Sequence, residues 1–233
     1  MANDIEARLE ALKREVEGLK GKAVTVTETI ANPAPLGLAG FGLTTLLLNV
    51  VNAKIVSGDG LGMVLPVGLF YGGLAQLLAG QWEFKKNNTF GATAFTSFGA
   101  FWLAFAVMEL LAKNNLLGPA GQAGTWVPGP AALTVFLVGW GIFTTYMFVG
   151  TMRISVALMV VFAALAILFY LLAWGEHNTN VHKFAGYEGL FTAGAALYAS
   201  FAQIVNETWG KYLMPLGIIK RTQPDVQAGL DRK

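Results

Sequence analysis

The residues best suited to meet a small polar solute lie in the segment Asn32-Pro33-Ala34-Pro35-Leu36-Gly37-Leu38, where a charged stretch gives way to a long uncharged run. Asn32 is a suitable helix cap, and Pro33 suits the first helical position because an N–H at that position would have no helical partner. The remaining free N–H groups and the positive end of the helix dipole favour a carboxylate nearby. The segment therefore predicts a helix start that shapes the mouth of a path for a small carboxylate.

Four other polar residues are candidates for the same path: Thr45, Gln76, Asn88 and Thr93. Asn88 precedes another uncharged run and is a suitable cap, so two helix N-termini can form one vestibule that attracts anions. Gln76 is the one amide in the middle of its run. Thr45 follows Phe41 at helical spacing, and both lining of the path and hydrogen bonding between helices fit it.

The sequence offers no set of residues for catalysis or cofactor binding. It has no cysteine, no nucleophile–histidine–acid set, no metal-ligand cluster and no phosphate-binding loop. His177 and His182 lie in a polar stretch and are predicted to be surface residues. Glu83, beside Lys85 and Lys86, is predicted to be a solvated charge at a helix end. We therefore expect no enzyme activity, no cofactor and no nucleic-acid partner.

The uncharged runs indicate an all-α integral membrane protein. Of the 233 residues, 55% are hydrophobic and 13% are charged, whereas soluble domains have about 25% charged residues. A helix that spans a hydrocarbon core of about 30 Å needs about 20 apolar residues. Six runs are long enough, and they predict six transmembrane helices near residues 35–53, 62–82, 89–111, 131–150, 154–174 and 187–206.

The distribution of positive charge predicts that both termini are cytoplasmic. Thirteen of the sixteen Lys and Arg residues lie in the two tails and in the second-to-third and fourth-to-fifth connections. Only Lys54, Lys113 and Lys183 lie on the other side. Positive residues are enriched in cytoplasmic segments, and an even number of spans places both ends on one side. The predicted location is the cell membrane, with multiple passes.

Three parts are expected along the chain. Residues 1–30 form a cytoplasmic amphipathic helix and a linker. The apolar residues over 3–20 recur at heptad spacing, which fits either a helix on the membrane surface or a short bundle between protomers. Residues 31–208 form the six-helix transport domain. Residues 209–233 form a cytoplasmic tail that is partly disordered.

Four segments resemble the acetate uptake transporter family, also called succinate–acetate permeases. They are ANPAPLGLAGFGLTT in the first span, FYGGLAQLLAG with Glu83 in the second, NTFGATAFTSFGAFW in the third and WGIFTTYMFVGT in the fourth. Together with weaker similarity in the last two spans, they cover residues 31–206. The seven-residue segment that begins at Asn32 is highly specific.

The resemblance implies a homohexamer of six-helix protomers surrounded by membrane lipids, with one substrate path in each protomer. It implies transport of acetate and related short monocarboxylates, with succinate as a further candidate. The path of this family narrows at a hydrophobic constriction of Phe, Tyr and Leu, which maps onto Phe41, Phe98 and Leu165. Phe98 departs from the family because it lacks the Tyr hydroxyl, so the constriction expected here is wholly apolar.

The sequence leaves the mechanism open between an anion channel and proton–carboxylate symport. An apolar ring opposes the passage of a bare anion, which favours proton-linked uptake. A channel for small neutral amides such as urea would suit the same charge-poor helices, and a membrane scaffold without transport activity is the structural alternative. Urea flux without competition by acetate would favour the amide channel, and absence of carboxylate flux would favour the scaffold.

Overall fold

The computed structural model describes residues 2–20, 30–57, 60–113 and 128–219. Residues 21–29, in the predicted linker, and residues 114–127, between the third and fourth predicted spans, lie outside the described residues. The chain divides into two compact units, residues 1–31 and 32–233. The first unit contains the helix α1, Ala2–Lys20, at the place of the predicted amphipathic helix.

The second unit is built from helices that follow the uncharged runs of the sequence. Side-chain caps begin several of them: for example, Ser155 Oγ accepts a hydrogen bond from the Leu158 N–H, and Asn178 Oδ1 accepts one from the Asn180 N–H. A helix lies at the place of each of the six predicted spans. In chain order the elements are α2 (Ala34–Asn52), α3 (Leu61–Val67), a π-helical segment (Gly68–Ala75), α4 (Gln76–Lys85), α5 (Thr89–Lys113), α6 (Pro130–Thr151), α7 (Val156–Gly175) and α8 (Thr179–Thr208).

Five helical stretches in the described residues are long and apolar enough to cross a membrane. α8 is longer than any of them, with 30 residues, but it carries Lys183 and Glu188 in its first half and is not one of the five. The described chain is therefore helical with several candidate membrane spans. The five stretches are Ala34–Asn52, Leu61–Lys85, Thr89–Ala112, Pro130–Thr151 and Val156–Gly175.

The second of these stretches is not a continuous α-helix. Pro66 lies inside α3 and removes a backbone donor, and the chain continues as a π-helix over Gly68–Ala75. Gly72 in this segment allows close approach to α2, because a Cβ atom there would lie 2.6 Å from Thr44 Oγ1. The wider π-helical turn ends at Gln76, which begins α4 with its side chain buried.

Small residues and amides join α8 to α2. Gly189 of α8 leaves the space that the Asn49 side chain of α2 occupies. Asn49 Nδ2 donates to the Thr45 carbonyl at 2.8 Å, and Ser200 Oγ donates to the Pro35 carbonyl at 2.7 Å. The polar residue Asn49 of α2 therefore serves a contact between helices.

Residues 209–219 of the predicted tail are held by side chains of α8 and of the tail itself. Asn206 Oδ1 accepts hydrogen bonds from the N–H groups of Leu213 and Met214, both at 2.8 Å. Tyr198 Oη donates to the Pro215 carbonyl at 2.7 Å. Side chains of α8 thus satisfy backbone groups of residues 209–219, so this part of the predicted tail has a defined structure. Residues 220–233 lie outside the described chain.

Candidate functional site

The three residues of the predicted constriction lie together between α2, α5 and α7. Phe41, Phe98 and Leu165 are 4%, 2% and 4% exposed, and they line one small cavity together with Gln76. The ring centroids of Phe41 and Phe98 lie 6.0 Å apart. The cavity volume is about 20 Å³, which is room for about one water molecule. Phe41, Phe98 and Leu165, named the constriction below, are thus too close together for an organic solute to pass in this conformation.

Phe98 also packs near four further aromatic rings. Its centroid lies 5.4 Å from that of Phe143, 5.9 Å from that of Trp140, 6.0 Å from that of Phe162 and 6.4 Å from that of Phe169. Tilted and edge-to-face ring pairs contribute about 0.5–1.5 kcal/mol each beyond burial. Opening a passage for a solute therefore requires movement of packed aromatic side chains.

Gln76 adds a polar group to this apolar space. The residue is 1% exposed, and within the described chain its Oε1 atom has no hydrogen-bond partner. A buried acceptor without a donor costs about 1–3 kcal/mol. The amide oxygen is therefore ready to accept a hydrogen bond from a solute or a water molecule in the cavity. This position is compatible with the path-lining role expected for Gln76.

A second cavity lies next to the constriction at the N-terminal end of α2. Its volume is about 200 Å³, and its polar wall contains Asn32, Asn88 and Gln203. Leu38 and Phe162 line both this space and the small cavity at the constriction. We call the larger space the Asn32 cavity. The structure thus brings together the two asparagines that were expected to share a vestibule.

Asn32 has three hydrogen-bond partners at the edge of this cavity. Its Oδ1 atom accepts from the Ala34 N–H at 3.3 Å and from Lys86 Nζ at 3.0 Å, and its Nδ2 atom donates to Gln203 Oε1 at 3.0 Å. Nδ2 carries a second hydrogen that can donate to a solute. The exposed Lys86 therefore places a positive charge at the mouth of the Asn32 cavity. The sequence gives no local signal of this contact, because Lys86 and Asn32 are 54 residues apart.

The N-terminus of α2 differs from the expected one. The helix begins at Ala34, so Pro33 is its N-cap residue and Pro35 lies in the first turn. The Ala34 N–H donates to Asn32, the Gly37 N–H donates to the Pro33 carbonyl at 3.1 Å, and Pro35 has no N–H. Three of the first four helical nitrogens are thus unavailable to an anion. This helix end attracts a carboxylate less than the sequence suggests.

The N-terminus of α5 is occupied by neighbouring side chains. Asn88 Oδ1 accepts from the Gly91 N–H at 3.2 Å, so Asn88 caps the helix. Asn88 Nδ2 donates to Glu83 Oε2 at 2.7 Å, and Glu83 is 0% exposed. The prediction of a solvated Glu83 was wrong, because Asn88 and the first turn of α5 enclose its carboxyl group. The N-terminus of α5 is thus already occupied by the Asn88 and Glu83 side chains, whereas Lys86 places a positive charge at the mouth of the Asn32 cavity.

A third cavity lies at the C-terminal end of α2. Its volume is about 210 Å³, and Leu48 and Asn52 of α2 form part of its wall. Glu109, Glu176 and His182 also line it. We call this space the Glu176 cavity. The two larger cavities therefore lie at opposite ends of α2, and Phe41 lies between them along the helix.

Ionisable groups distinguish the Glu176 cavity from the rest of the site. Burial raises the pKa of the Glu176 carboxyl above its ordinary value, the negative charge of Glu109 raises it further, and His177 opposes both effects. His182 Nε2 lies 3.4 Å from Asn52 Oδ1. The prediction of a surface position was therefore wrong for His182, because the first turns of α8 pack against the end of α2. Glu109 and Glu176 were not singled out from the sequence, because both lie at the ends of uncharged runs.

The remaining expected site residues have different environments. Thr45 is 2% exposed, and its Oγ1 atom has no hydrogen-bond partner in the part of the chain that the structure describes. Ala34 and Leu38 line the Asn32 cavity. Leu36 is 44% exposed, and the half-buried Thr93 lines none of the three cavities described above.

Comparison with known proteins agrees with the resemblance seen in the sequence. A model of the GPR1/FUN34/yaaH family matches residues 18–216. The succinate-acetate/proton symporter SatP of Escherichia coli (strain K12) is 44% identical over 190 residues, covering 81% of this chain and 96% of that protein. Acetate permease A of Emericella nidulans is 38% identical over 195 residues, covering 80% of this chain and 65% of that protein. A solved structure of the bacterial acetate channel SatP matches with a TM-score of 0.74 and 43% identity, covering 81% of this chain and 100% of that chain.

Proposed function

Because the chain belongs to the GPR1/FUN34/yaaH family, we propose that it transports acetate and related short carboxylates, with succinate as a further candidate, across the cell membrane. The observation that carries the proposal is the pair of cavities of about 200 and 210 Å³ at the two ends of α2, with the constriction between them. Each cavity gives a small solute access to one side of a closed gate. The relatives are a symporter, a permease and a channel, so we expect transport and not catalysis.

In the proposed path, Lys86 and Asn32 attract the carboxylate at one end, and the solute passes Gln76 at the constriction. A carboxylate ion offers only acceptors, whereas a protonated carboxylic acid also offers a donor. The buried Gln76 Oε1 acceptor and the apolar rings therefore favour the neutral acid at the narrowest point. This supports proton-linked transport over a channel for the bare anion.

The membrane arrangement that we infer has six spans, with α8 as the sixth, and both termini in the cytoplasm. The 30 residues of α8 extend about 45 Å, enough to cross a hydrocarbon core of about 30 Å. The distribution of Lys and Arg supports the orientation. Residues 31–208 form the transport domain between residues 1–30 and the tail 209–233. We further propose a homohexamer in contact with membrane lipids, with one path in each protomer.

Purified protein in proteoliposomes tests this function. Vesicles loaded with unlabelled acetate are diluted into labelled acetate, and the transient accumulation of label above that in protein-free vesicles is measured. We expect accumulation that unlabelled acetate and succinate suppress and urea does not. Urea flux that acetate leaves unchanged, or no accumulation of label by well-folded protein, would overturn the proposal.

A further inference from the structure

Glu188 is a carboxyl group inside the proposed sixth span. It is nine residues beyond Thr179, where α8 begins, and therefore lies about 14 Å along a helix of about 45 Å. A helix of that length extends about 7 Å beyond each side of a hydrocarbon core of about 30 Å. Glu188 is thus placed about 6 Å inside the apolar layer when the helix is centred. A carboxyl group at such a depth is costly unless it has a partner or a function.

The immediate surroundings of the carboxyl group are poor in partners. Glu188 Oε1 accepts a hydrogen bond from Thr192 Oγ1 at 3.1 Å. Glu188 Oε2 is buried and has no hydrogen-bond partner within residues 2–20, 30–57, 60–113 and 128–219. Burial of an unpaired carboxylate favours the uptake of a proton over retention of the charge.

The elements packed against α8 provide no neutralising cation at this depth. α2 contains no ionisable side chain, and its nearest cation is Lys54, just beyond its C-terminus. α7 contains Tyr170, whose hydroxyl lies 3.1 Å from the Thr145 hydroxyl of α6. The ionisable groups of α8 itself lie toward its ends or are exposed tyrosines: His182, Lys183, Tyr187, Tyr198 and Glu207.

The helical register of α8 places Glu188 on the face that leads to the Asn32 cavity. Glu188, Thr192, Ala196, Ala199 and Gln203 follow one another at spacings of four, four, three and four residues, which is one face of a helix. The three middle residues are 0%, 0% and 1% exposed. Gln203 lines the Asn32 cavity. The face thus runs through the protein interior from Glu188 to that cavity.

The Glu176 cavity lies close to the other side of Glu188. His182 lines that cavity and is six residues before Glu188, about 9 Å along the helix axis. Along the axis of α8, Glu188 therefore lies between His182 at the Glu176 cavity and Gln203 at the Asn32 cavity. A proton that enters the Glu176 cavity has a short distance to travel to reach it.

We propose that Glu188 is the proton-binding residue that links carboxylate movement to proton movement, an inference that rests on the proposed transport function. The Glu188 carboxylate takes up one proton from water in the Glu176 cavity and becomes neutral. It passes that proton to a carboxylate that has entered the same cavity, which crosses the constriction as the neutral acid and releases the proton to water in the Asn32 cavity as it leaves as an ion. One proton and one monocarboxylate anion then cross together, and the cycle moves no net charge.

Four forms of the full chain in proteoliposomes test this role: the wild type, Glu188→Gln, Glu188→Asp and Glu207→Gln. Glu207 is the matched control because it is an exposed carboxyl group at the end of the same helix. Acetate counterflow measures substrate passage without net proton movement, and a pH dye inside the vesicles measures proton entry driven by an acetate gradient, each above protein-free vesicles. We expect Glu188→Gln to lose about tenfold in both counterflow and proton entry, because the amide cannot pass a proton to the entering carboxylate. Glu188→Asp should restore proton entry, and Glu207→Gln should match the wild type.

The possible outcomes separate this inference from the transport function. Proton entry by Glu188→Gln equal to that of Glu207→Gln overturns the role of Glu188 while leaving acetate transport intact. Wild-type counterflow without proton entry also overturns it. Absence of wild-type counterflow contradicts the transport function itself. If Glu188→Gln does not elute as the wild type does, the pH dependence of proton entry by Glu188→Asp decides. A midpoint displaced from that of the wild type supports the proposal, and an unchanged pH dependence overturns it.

Discussion

Lys86→Gln is expected to weaken the capture of carboxylates at the Asn32 cavity. Lys86 Nζ lies 3.0 Å from Asn32 Oδ1, and a carboxylate that accepts from the second N–H of Asn32 would lie about 6 Å from that charge. Two unit charges at this distance attract each other by about 0.7 kcal/mol in a water-like dielectric. The half-saturating acetate concentration in counterflow should therefore rise about threefold. Lys86→Arg keeps the charge and should stay close to the wild type.

Lys85→Gln is the matched control for this change. Lys85 is adjacent in sequence, equally charged and exposed, but its Nζ atom lies 5.3 Å from the centroid of the Trp82 ring and not at Asn32. At about 1 M salt the screening length falls to about 3 Å, so the difference between Lys86→Gln and the wild type should vanish. Equal effects of the Lys85 and Lys86 substitutions, or an effect that persists in high salt, would refute a local electrostatic role.

Two further predictions concern the ends of the path. Asn32→Ala removes the side chain that holds Lys86 and Gln203, so acetate counterflow should weaken more than any urea passage, and equal losses would argue for a folding role alone. The pKa of Glu176 is raised in the folded chain above its ordinary value of 4.5. As the pH rises past 4.5, the unfolded chain loses this proton before the folded chain does, so the free energy of unfolding falls with rising pH. Glu176→Gln should match the wild type in thermal unfolding at about pH 4 and become the more stable form toward about pH 7; a pH-independent difference would contradict this.

The sequence alone predicted the elements of the fold that depend on local hydropathy. The uncharged runs gave the places of five of the six helices within a few residues, because burial in an apolar layer requires continuous apolar segments, whereas α8 begins eight residues before the predicted span. The sequence also supplied Phe41, Phe98 and Leu165, which lie together in the structure, but only through resemblance to a known family. Periodicity alone does not reveal that residues on α2, α5 and α7 meet.

Electrostatic details of the site were not predictable in this way. Lys86 reaches Asn32 through a contact between distant parts of the chain, and Glu83 is buried because Asn88 and a helix N-terminus surround it. A charge beside other charges at a predicted helix end is usually solvated, which is why Glu83 was misassigned. The π-helical segment escaped prediction because Pro66 and the glycines after it fit a kinked α-helix equally well.

The central claim is that acetate crosses between the two cavities through the constriction. The size selectivity of the purified variants Phe41→Ala and Leu165→Ala tests this claim most directly. Counterflow of acetate is compared with that of a longer monocarboxylate such as butyrate, with the exposed residues Leu43→Ala on α2 and Ile167→Ala on α7 as controls. The ratio of butyrate to acetate counterflow should rise in both constriction variants, because the removed side chains line a cavity of about 20 Å³. The two controls should keep the wild-type ratio. An unchanged ratio in both folded constriction variants would contradict the account.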